Sequence, residues 1–172
     1  RIIRRKITFI NNLQFQTNML RTHTCGELRS REIGKEVKLC GWVHSRRDHG
    51  GIIFIDLRDR YGLTQLVFDP NFNKTSHKEA EKLRREDVLQ AKGIVKERRE
   101  GMKNSNLATG DIEAFVSELV ILNQSMVPPM EIDDLKVPNE ATRLKYRYLD
   151  LRRPGMQKML MTRHAAAQAA RE

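Results

Sequence analysis

Five segments of the chain have the pattern of β-strands with one buried face. The first begins at Glu36, where Val37, Leu39 and Gly41 occupy every second position. The other four occupy residues 52–58, 63–68, 88–97 and 111–122. This number of strands constrains the fold strongly, because five strands can close a small barrel whereas a β-sandwich usually needs about seven.

The elements between these segments favour one kind of barrel. A turn is predicted across residues 59–62, a polar helix over 76–87 between the third and fourth strands, and a long polar loop over 98–110. Five strands with a helix in that position are typical of a Greek-key barrel of the oligonucleotide-binding (OB) type. We therefore predict a mainly β fold with short helices.

Two further features are expected near the start of the barrel. Residues 24–27, Thr-Cys-Gly-Glu, have the form of a capping box, so a short helix should follow them and end near Gly34. Gly41 lies on the buried side of the first strand, which predicts a bend or a close backbone approach at that point.

The chain beyond Asn123 has a different composition. Residues 126–140 contain three of the five prolines, which predicts an extended connector. A helix is predicted over residues 140–151, and Pro154 suits the first turn of a last helix, whose apolar residues have no partner element left in the chain. The predicted organisation is an extension over residues 1–18, the OB barrel over 19–124, a hinge over 125–139 and the truncated start of a larger domain over 140–172.

Basic residues outnumber acidic ones. The formal net charge is +10, and residues 1–18 supply four of the 32 basic residues but none of the 22 acidic ones, so residues 19–172 still carry +6. This surplus favours a polyanionic partner through counterion release. It does not distinguish nucleic acid from an anionic membrane, and a solvated basic surface is an equal alternative.

The sequence contains no pattern of a metal site or a membrane span. Cys25 and Cys40 lack C-x-x-C spacing and a histidine partner, so both are expected to be reduced thiols. No apolar stretch approaches the ~20 residues that a bilayer helix needs, which predicts a soluble protein. Its expected location is the cytoplasm. The acid-free start is interpreted as a disordered or cloning-derived extension before Met19, rather than as a targeting sequence.

One aromatic ring is predicted on the outer face of the second strand. Ile53, Ile55 and Leu57 share a face and should fill the barrel, which leaves Phe54 outside, and Gln65 should share that outer face. A ring beside a neutral amide can bind an unpaired base, because the ring stacks on the base and the amide bonds to its edge. Coverage of the ring by a loop or a helix is equally consistent with this segment alone.

Five basic residues at strand ends flank this face: Arg46, Arg47, Lys96, Arg98 and Arg99. In an OB barrel this region is the usual oligonucleotide face. The basic groups would then hold phosphates, while Phe54 and Gln65 would contact bases.

No catalytic constellation is recognisable in the sequence. The five histidines lack metal-ligand spacing, and neither a nucleophile elbow nor a phosphate-binding glycine loop is present. Four acidic residues are interpreted as salt-bridge or capping groups: Asp56, Asp59, Glu113 and Asp150. The chain is therefore expected to perform no chemistry by itself.

Three stretches carry a resemblance to a known family: CGELRSREIGKEVKLCGWVHSRRDHGGIIFIDLRDRYGLTQLVFDP, LATGDIE and LKYRYLDLRRP. From Met19 onward the chain resembles the bacterial-type aspartyl-tRNA synthetases. The resemblance implies an OB-fold anticodon-binding domain, a hinge and the first helix of an α/β class II catalytic domain. It also implies that the full-length protein is a homodimeric aspartate-tRNA ligase that uses ATP and Mg²⁺, with its catalytic motifs beyond Glu172.

The resemblance implies roles for individual residues. Phe54 would stack on the middle base of the anticodon, a uridine, with Gln65 and Arg47 bonding to that base. The other family positions are Arg98 and Asn104 near the third base and Glu113, whose carboxylate would accept from a guanine, at the first.

Two positions bear on which tRNA is used. His49 and Gly101 are similar to the residues of family members that also charge tRNA-Asn, whereas discriminating relatives tend to have Leu and Lys. Less bulk and less fixed charge near the third base would tolerate both C and U. Ser45 departs from the family, since many relatives have a third arginine there.

Other functions remain open from the sequence. A free-standing OB module that binds single-stranded nucleic acid is one alternative, although the bare apolar stripe of the last helix argues against it. The equivalent domain of an asparaginyl- or lysyl-tRNA synthetase is another, and the RYLDLRRP stretch weighs more strongly against the lysyl enzyme.

Overall fold

The computed structural model describes residues 20–172. They belong to two compact units, which divide between Ser125 and Met126. No helix within residues 20–172 is long and apolar enough to cross a bilayer. The extension predicted over residues 1–18 lies outside the described residues.

The strands of the first unit are β1 (Glu36–His49), β2 (Ile52–Arg58), β3 (Leu63–Phe68), β4 (Val88–Glu97) and β5 (Ile112–Asn123). They form a closed barrel in the order β1-β2-β3-β5-β4. Strands β3 and β5 pair in parallel, and the other neighbouring pairs are antiparallel. The prediction of a five-stranded barrel is confirmed.

The barrel core is filled from alternate positions of each strand. On β2, Ile53, Ile55 and Leu57 are fully buried, and the residues between them are partly exposed. On β3, Leu66 and Phe68 are also fully buried. The predicted inner and outer faces of β2 are therefore correct, and Phe54 lies outside the core.

Strand β1 bends so that it can pair with both β2 and β4. A Cβ at Gly41 would lie 2.4 Å from the carbonyl oxygen of Arg58, so no larger residue fits there without a backbone shift. The register against β2 changes between Val43 and Ser45. The close approach predicted at Gly41 is confirmed.

The helix between β3 and β4 is shorter than predicted. Helix α1 (Lys74–Ala80) begins earlier than expected, because the Asn73 side chain accepts a hydrogen bond from the Ser76 N–H. It ends at Ala80 instead of near residue 87. Residues 86 and 87 bond to the backbone of Val43 on β1, and this tertiary contact replaces a further turn of helix.

The helix predicted before the barrel is only a three-residue 3-10 turn, Ser30–Glu32. The capping-box prediction is wrong, because the Thr24 hydroxyl donates to the Glu27 carboxylate at 2.7 Å instead of accepting from a backbone N–H. The next residue, Cys25, donates its N–H to Asp59 at 2.9 Å and is thereby fixed to the β2–β3 turn.

The second unit contains helices α2 (Glu140–Lys145), α3 (Arg147–Asp150) and α4 (Pro154–Ala169). The single helix predicted over residues 140–151 is interrupted at Tyr146, whose backbone leaves the helical conformation. Pro154 lies in the first turn of α4, as predicted. Met130 and Ile132, which fall within the predicted hinge, pack with Leu149 in a small core of this unit.

A network of arginines surrounds one carboxylate in the second unit. Asp150 is fully buried and accepts hydrogen bonds from Arg143 at 3.1 Å, Arg147 at 2.8 Å and Arg153 at 3.0 Å. Arg153 also donates to Asp134, which accepts from the Gly155 N–H at the start of α4. The interpretation of Asp150 as a salt-bridge group is confirmed.

Candidate nucleic-acid interface

A groove with a volume of about 520 Å³ lies on the outer face of the barrel. Its walls come from β1, β2, β3, β5 and the loop after β4. Seven of the eight residues singled out in the sequence line it: Arg47, His49, Phe54, Gln65, Arg98, Asn104 and Glu113. These positions are spread over more than sixty residues of sequence, and the barrel brings them to one surface.

Phe54 lies in the wall of the groove that β2 forms. Its cross-strand neighbours are Arg47 on β1 and Val67 on β3. The ring is partly exposed, so neither a loop nor a helix seals it. A nucleobase that entered the groove would therefore have access to the ring.

Gln65 lies diagonally across from Phe54 on β3, opposite Asp56. Its side chain makes no hydrogen bond with any of residues 20–172. Both the carbonyl oxygen and the NH₂ group remain available, so this amide can bind a base edge that presents both a donor and an acceptor.

Arg47 is held at the rim of the groove by Asp56. One guanidinium nitrogen of Arg47 lies 3.0 Å from both oxygens of the Asp56 carboxylate, which also accepts from the Ser45 hydroxyl. The Arg47 side chain remains 57% exposed. Asp56 is thus a salt-bridge group, as interpreted, and it orients a cation beside Phe54.

Arg98 combines burial with an unpaired donor. The residue is only 6% exposed, and its Nε donates to the carbonyl of Ile112 at 2.9 Å. One terminal guanidinium nitrogen is buried and has no hydrogen-bond partner among the described residues. Burial lowers the pKa of Arg98, but the side chain stays cationic at neutral pH. Because an unpaired buried donor is unfavourable, this nitrogen would gain free energy from any ligand atom that reached it and accepted its hydrogen bond.

Glu113 lies on the outer face of β5, opposite Lys96 of β4. Burial raises its pKa above the ordinary value, and the nearby charges of Arg98, Arg99 and Lys96 offset this only in part. No hydrogen bond to its carboxylate comes from residues 20–172. The interpretation as a salt-bridge or capping group is therefore wrong for Glu113, whose oxygens are free to accept from a ligand.

The loop after β4 forms one edge of the groove. It is closed by a hydrogen bond from the Asn104 N–H to the carbonyl of Gly110 at 3.1 Å. Gly101 has φ +80°, with no atom of residues 20–172 within 4 Å of a Cβ built there, and it does not line the groove itself. Its neighbour Met102 does line the groove and is 70% exposed.

The basic rim differs in part from the prediction. Arg46 points to the end of α1, where its Nε lies 3.3 Å from the carbonyl of Ala80, and it does not line the groove. Lys96 lies over the ring of Phe115 and is also outside the lining. Arg99 does line the groove. Arg46 and Arg47 are consecutive on β1, so alternation would have predicted their opposite orientations.

Sequence reasoning missed Phe115 and Met102, which both line the groove. Phe115 carries a detectable signal, because it is two residues from Glu113 on the same strand and therefore on the same face. Met102 carries none, because its position depends on the path of a loop without periodicity.

Residues 37–122 match the family of OB-fold nucleic acid binding domains that is named for the tRNA anticodon, and this match covers half of the chain. The chain therefore belongs to the tRNA anticodon-type OB-fold nucleic-acid-binding family.

Similarity to individual proteins extends beyond the barrel. The chain is 57% identical over 152 residues to the aspartate–tRNA(Asp/Asn) ligase of Protochlamydia amoebophila, which covers 88% of this chain and 25% of that ligase. It is 55% identical over 154 residues to the ligase of the same name from Desulfotalea psychrophila. The chain thus spans about a quarter of the length of these relatives.

A solved structure has the same fold. The asparaginyl-tRNA synthetase of Pyrococcus horikoshii superposes with a TM-score of 0.72 at 27% identity, over 89% of this chain and 35% of that protein.

Proposed function

We propose that this chain is the anticodon-binding part of an aspartate-tRNA ligase that acts on tRNA-Asp and also on tRNA-Asn. The observation that carries the proposal is the groove, which is lined by a partly exposed ring, by an amide without a hydrogen bond to residues 20–172 and by Arg98, which has one buried nitrogen unpaired within those residues. Relatives that are more than half identical are aspartate–tRNA(Asp/Asn) ligases, which supports this assignment.

In this proposal each side chain reads one feature of an unstacked anticodon. Phe54 stacks on the middle base, and Gln65 and Arg47 bond to its edge or to the adjacent phosphate. Arg98 and Asn104 contact the third base, and Glu113 accepts from the first. His49 and the Gly101 turn leave room for either pyrimidine at the third position.

In this proposal the catalytic step belongs to the rest of a full-length ligase. ATP and Mg²⁺ would be bound by the remaining three quarters of a ligase of the relatives' length, and residues 140–172 would begin its catalytic domain. The full-length enzyme would act as a homodimer in the cytoplasm, where translation uses its product.

Two other functions predict different binding behaviour. A free-standing OB module would bind single-stranded RNA of any sequence in this groove. An asparaginyl-tRNA synthetase domain, favoured by the Pyrococcus horikoshii superposition, would belong to an enzyme that activates asparagine. A full-length ligase that attaches aspartate to both tRNA-Asp and tRNA-Asn excludes both alternatives.

The direct test is binding of the 172-residue chain to a tRNA-Asp anticodon stem-loop. Phe54→Ala should weaken binding by about 1–3 kcal/mol, because one stacked base loses its platform. Tyr61→Ala is the matched control, since Tyr61 is also an exposed ring but contacts Arg21 at the β2–β3 turn, outside the groove. Equal binding of the wild type to the stem-loop and to a scrambled loop would contradict the proposed function.

A further inference from the structure

A second aromatic ring, Phe115 on β5, lines the same groove as Phe54. The two residues lie in one cross-strand row, because Phe54 pairs with Val67 on β3 and Val67 pairs with Phe115. Adjacent strands are about 4.8 Å apart, so the backbones that carry the two rings are about 10 Å apart. Val67 lies between the two rings and is only 2% exposed, so it forms the bottom of the groove at this point.

Two residues support Phe115 from outside the groove. The Lys96 ammonium lies 3.9 Å from the centroid of the Phe115 ring, and Phe72 packs against that ring in a T-shaped arrangement with the centroids 5.8 Å apart. Neither Lys96 nor Phe72 lines the groove, whereas Phe115 does. The ring is therefore held by two residues outside the groove lining before any ligand enters, so little conformational entropy would be lost on binding.

Glu113 places a hydrogen-bond acceptor beside this ring. Glu113 and Phe115 are separated by one residue on β5, so both side chains lie on the outer face, and both line the groove. The pair has the same composition as Phe54 with Gln65, namely a ring that can stack and a polar group that can bond to a base edge. The groove thus contains two pairs of this kind, Phe54 with Gln65 and Phe115 with Glu113.

We propose that Phe115 is a second stacking platform, which binds the unpaired base that donates to Glu113 while Phe54 binds the next base along the strand. This inference rests on the proposed function, in which the first base of the anticodon is a guanine. The volume of about 520 Å³ agrees with it, because pockets of that size accommodate ligands larger than a single base. The ammonium of Lys96 adds a cation–π contact that holds the platform in place.

The test uses the 172-residue chain and a tRNA-Asp anticodon stem-loop observed by NMR. In the wild-type complex, the H8 proton of the first base should shift upfield through the ring current of Phe115, and the H6 proton of the middle base through that of Phe54. Phe115→Ala should weaken binding about 5- to 100-fold and remove only the first shift. Phe54→Ala should remove only the second, and Tyr61→Ala should leave both in place.

A second variant and a modified RNA make the test independent of folding. Phe115→Leu keeps an apolar side chain against Lys96 and Phe72 but has no ring current and no stacking face. An abasic first position in the RNA should weaken binding to the wild type and have little further effect on Phe115→Leu, since the two changes remove one interaction. Additive losses, or an H8 shift that persists in Phe115→Leu, would overturn the inference.

The outcomes also distinguish failure of the proposed function from absence of the second stacking platform. Failure of the wild type to prefer the stem-loop over a scrambled loop would remove the proposed function and this inference with it. Preference for the stem-loop, with unchanged affinity and shifts in both Phe115 variants, would remove the second platform alone.

Discussion

An arginine–carboxylate cluster in the second unit and another in the groove of the barrel differ in how completely their hydrogen bonds are satisfied. In the second unit, the buried Asp150 accepts from three arginines, and Arg153 uses all its guanidinium nitrogens. In the groove of the barrel, and within residues 20–172, Arg98 has one buried nitrogen without a partner and Glu113 accepts no hydrogen bond.

The pKa values of the two carboxylates reflect this difference. Burial by itself raises the pKa of Asp150, but hydrogen bonds from Arg143 and Arg153 outweigh burial and hold it below its ordinary value. Burial also raises the pKa of Glu113, and there the neighbouring cations do not compensate. A cluster whose donors and acceptors are paired with one another stabilises the fold. A cluster with unpaired donors or acceptors can gain free energy when a ligand pairs with them.

The largest effect should follow from removing the satisfied carboxylate. Asp150→Asn keeps the shape of the side chain but leaves three arginines around a neutral group, so the local free energy of unfolding should fall by about 3–5 kcal/mol. Native-state hydrogen exchange at residues 147–157 measures this change. Glu140→Gln, an exposed acid in the first turn of α2, is the control and should change it by less than about 1 kcal/mol.

The pH dependence of Asp150 has a definite sign. Its pKa is lower in the folded state than the ordinary 3.8, so its contribution to stability is complete above that value and is lost as the pH falls through the folded pKa. Protection of residues 147–157 that is unchanged in Asp150→Asn would contradict the structural role of this cluster.

The next largest effect should come from replacing Arg98. It should lower the affinity for RNA and leave the stability of the fold nearly unchanged. Arg98→Met should weaken binding of the anticodon stem-loop by about 1.5–3 kcal/mol, because a charge-assisted hydrogen bond to the RNA is lost. The free energy of unfolding should change by less than about 1 kcal/mol, because loss of the bond to Ile112 is offset by removal of a poorly satisfied buried cation. Isothermal titration and chemical denaturation separate the two quantities. A large loss of stability with unchanged binding would show that Arg98 has a structural role, as the Asp150 cluster does, and does not contact the RNA.

The sequence predicted the features of this molecule that depend on a regular period. The residue ranges of β2, β3 and β4 and the inner and outer faces of β2 follow from alternation, because a strand has only two faces. The position of Phe54 in the groove follows from the same rule.

The sequence did not predict the features that depend on contacts between distant segments. Helix α1 ends early because residues 86 and 87 bond to Val43, and the capping box fails because the Thr24 and Glu27 side chains bond to each other. The burial of Arg98 after β4 depends on which neighbour its guanidinium reaches. A linear sequence contains no information of this kind at single positions. The opposite orientations of Arg46 and Arg47, by contrast, follow from alternation along β1 and could have been predicted.

A smaller effect is expected where the edge of the groove sets specificity. His49→Leu combined with Gly101→Lys should lower binding of a stem-loop with U at the third anticodon position relative to one with C by about tenfold, or about 1.4 kcal/mol. The reason is the added bulk and charge near that base. Gly101→Ala is the control, because it introduces the same strain at φ +80° without the charge. Equal losses for the two RNAs would remove these positions from discrimination.

The smallest effect should come from neutralising the unsatisfied carboxylate, and its sign distinguishes the two clusters. Glu113 has a folded-state pKa above its ordinary 4.5, so the ionised group lowers stability above the folded pKa, and this penalty disappears below 4.5. Glu113→Gln should therefore raise the free energy of unfolding at pH 7 by less than about 1 kcal/mol, because solvent partly screens the carboxylate. The gain should vanish on acidification, whereas Asp150→Asn loses stability at pH 7. The measurement is chemical denaturation of the wild type and of Glu113→Gln, monitored by Trp42 fluorescence, at values from about pH 4 to about pH 8. A less stable Glu113→Gln at neutral pH would show that Glu113 is a satisfied structural ion pair like Asp150, and the contrast between the clusters would be lost.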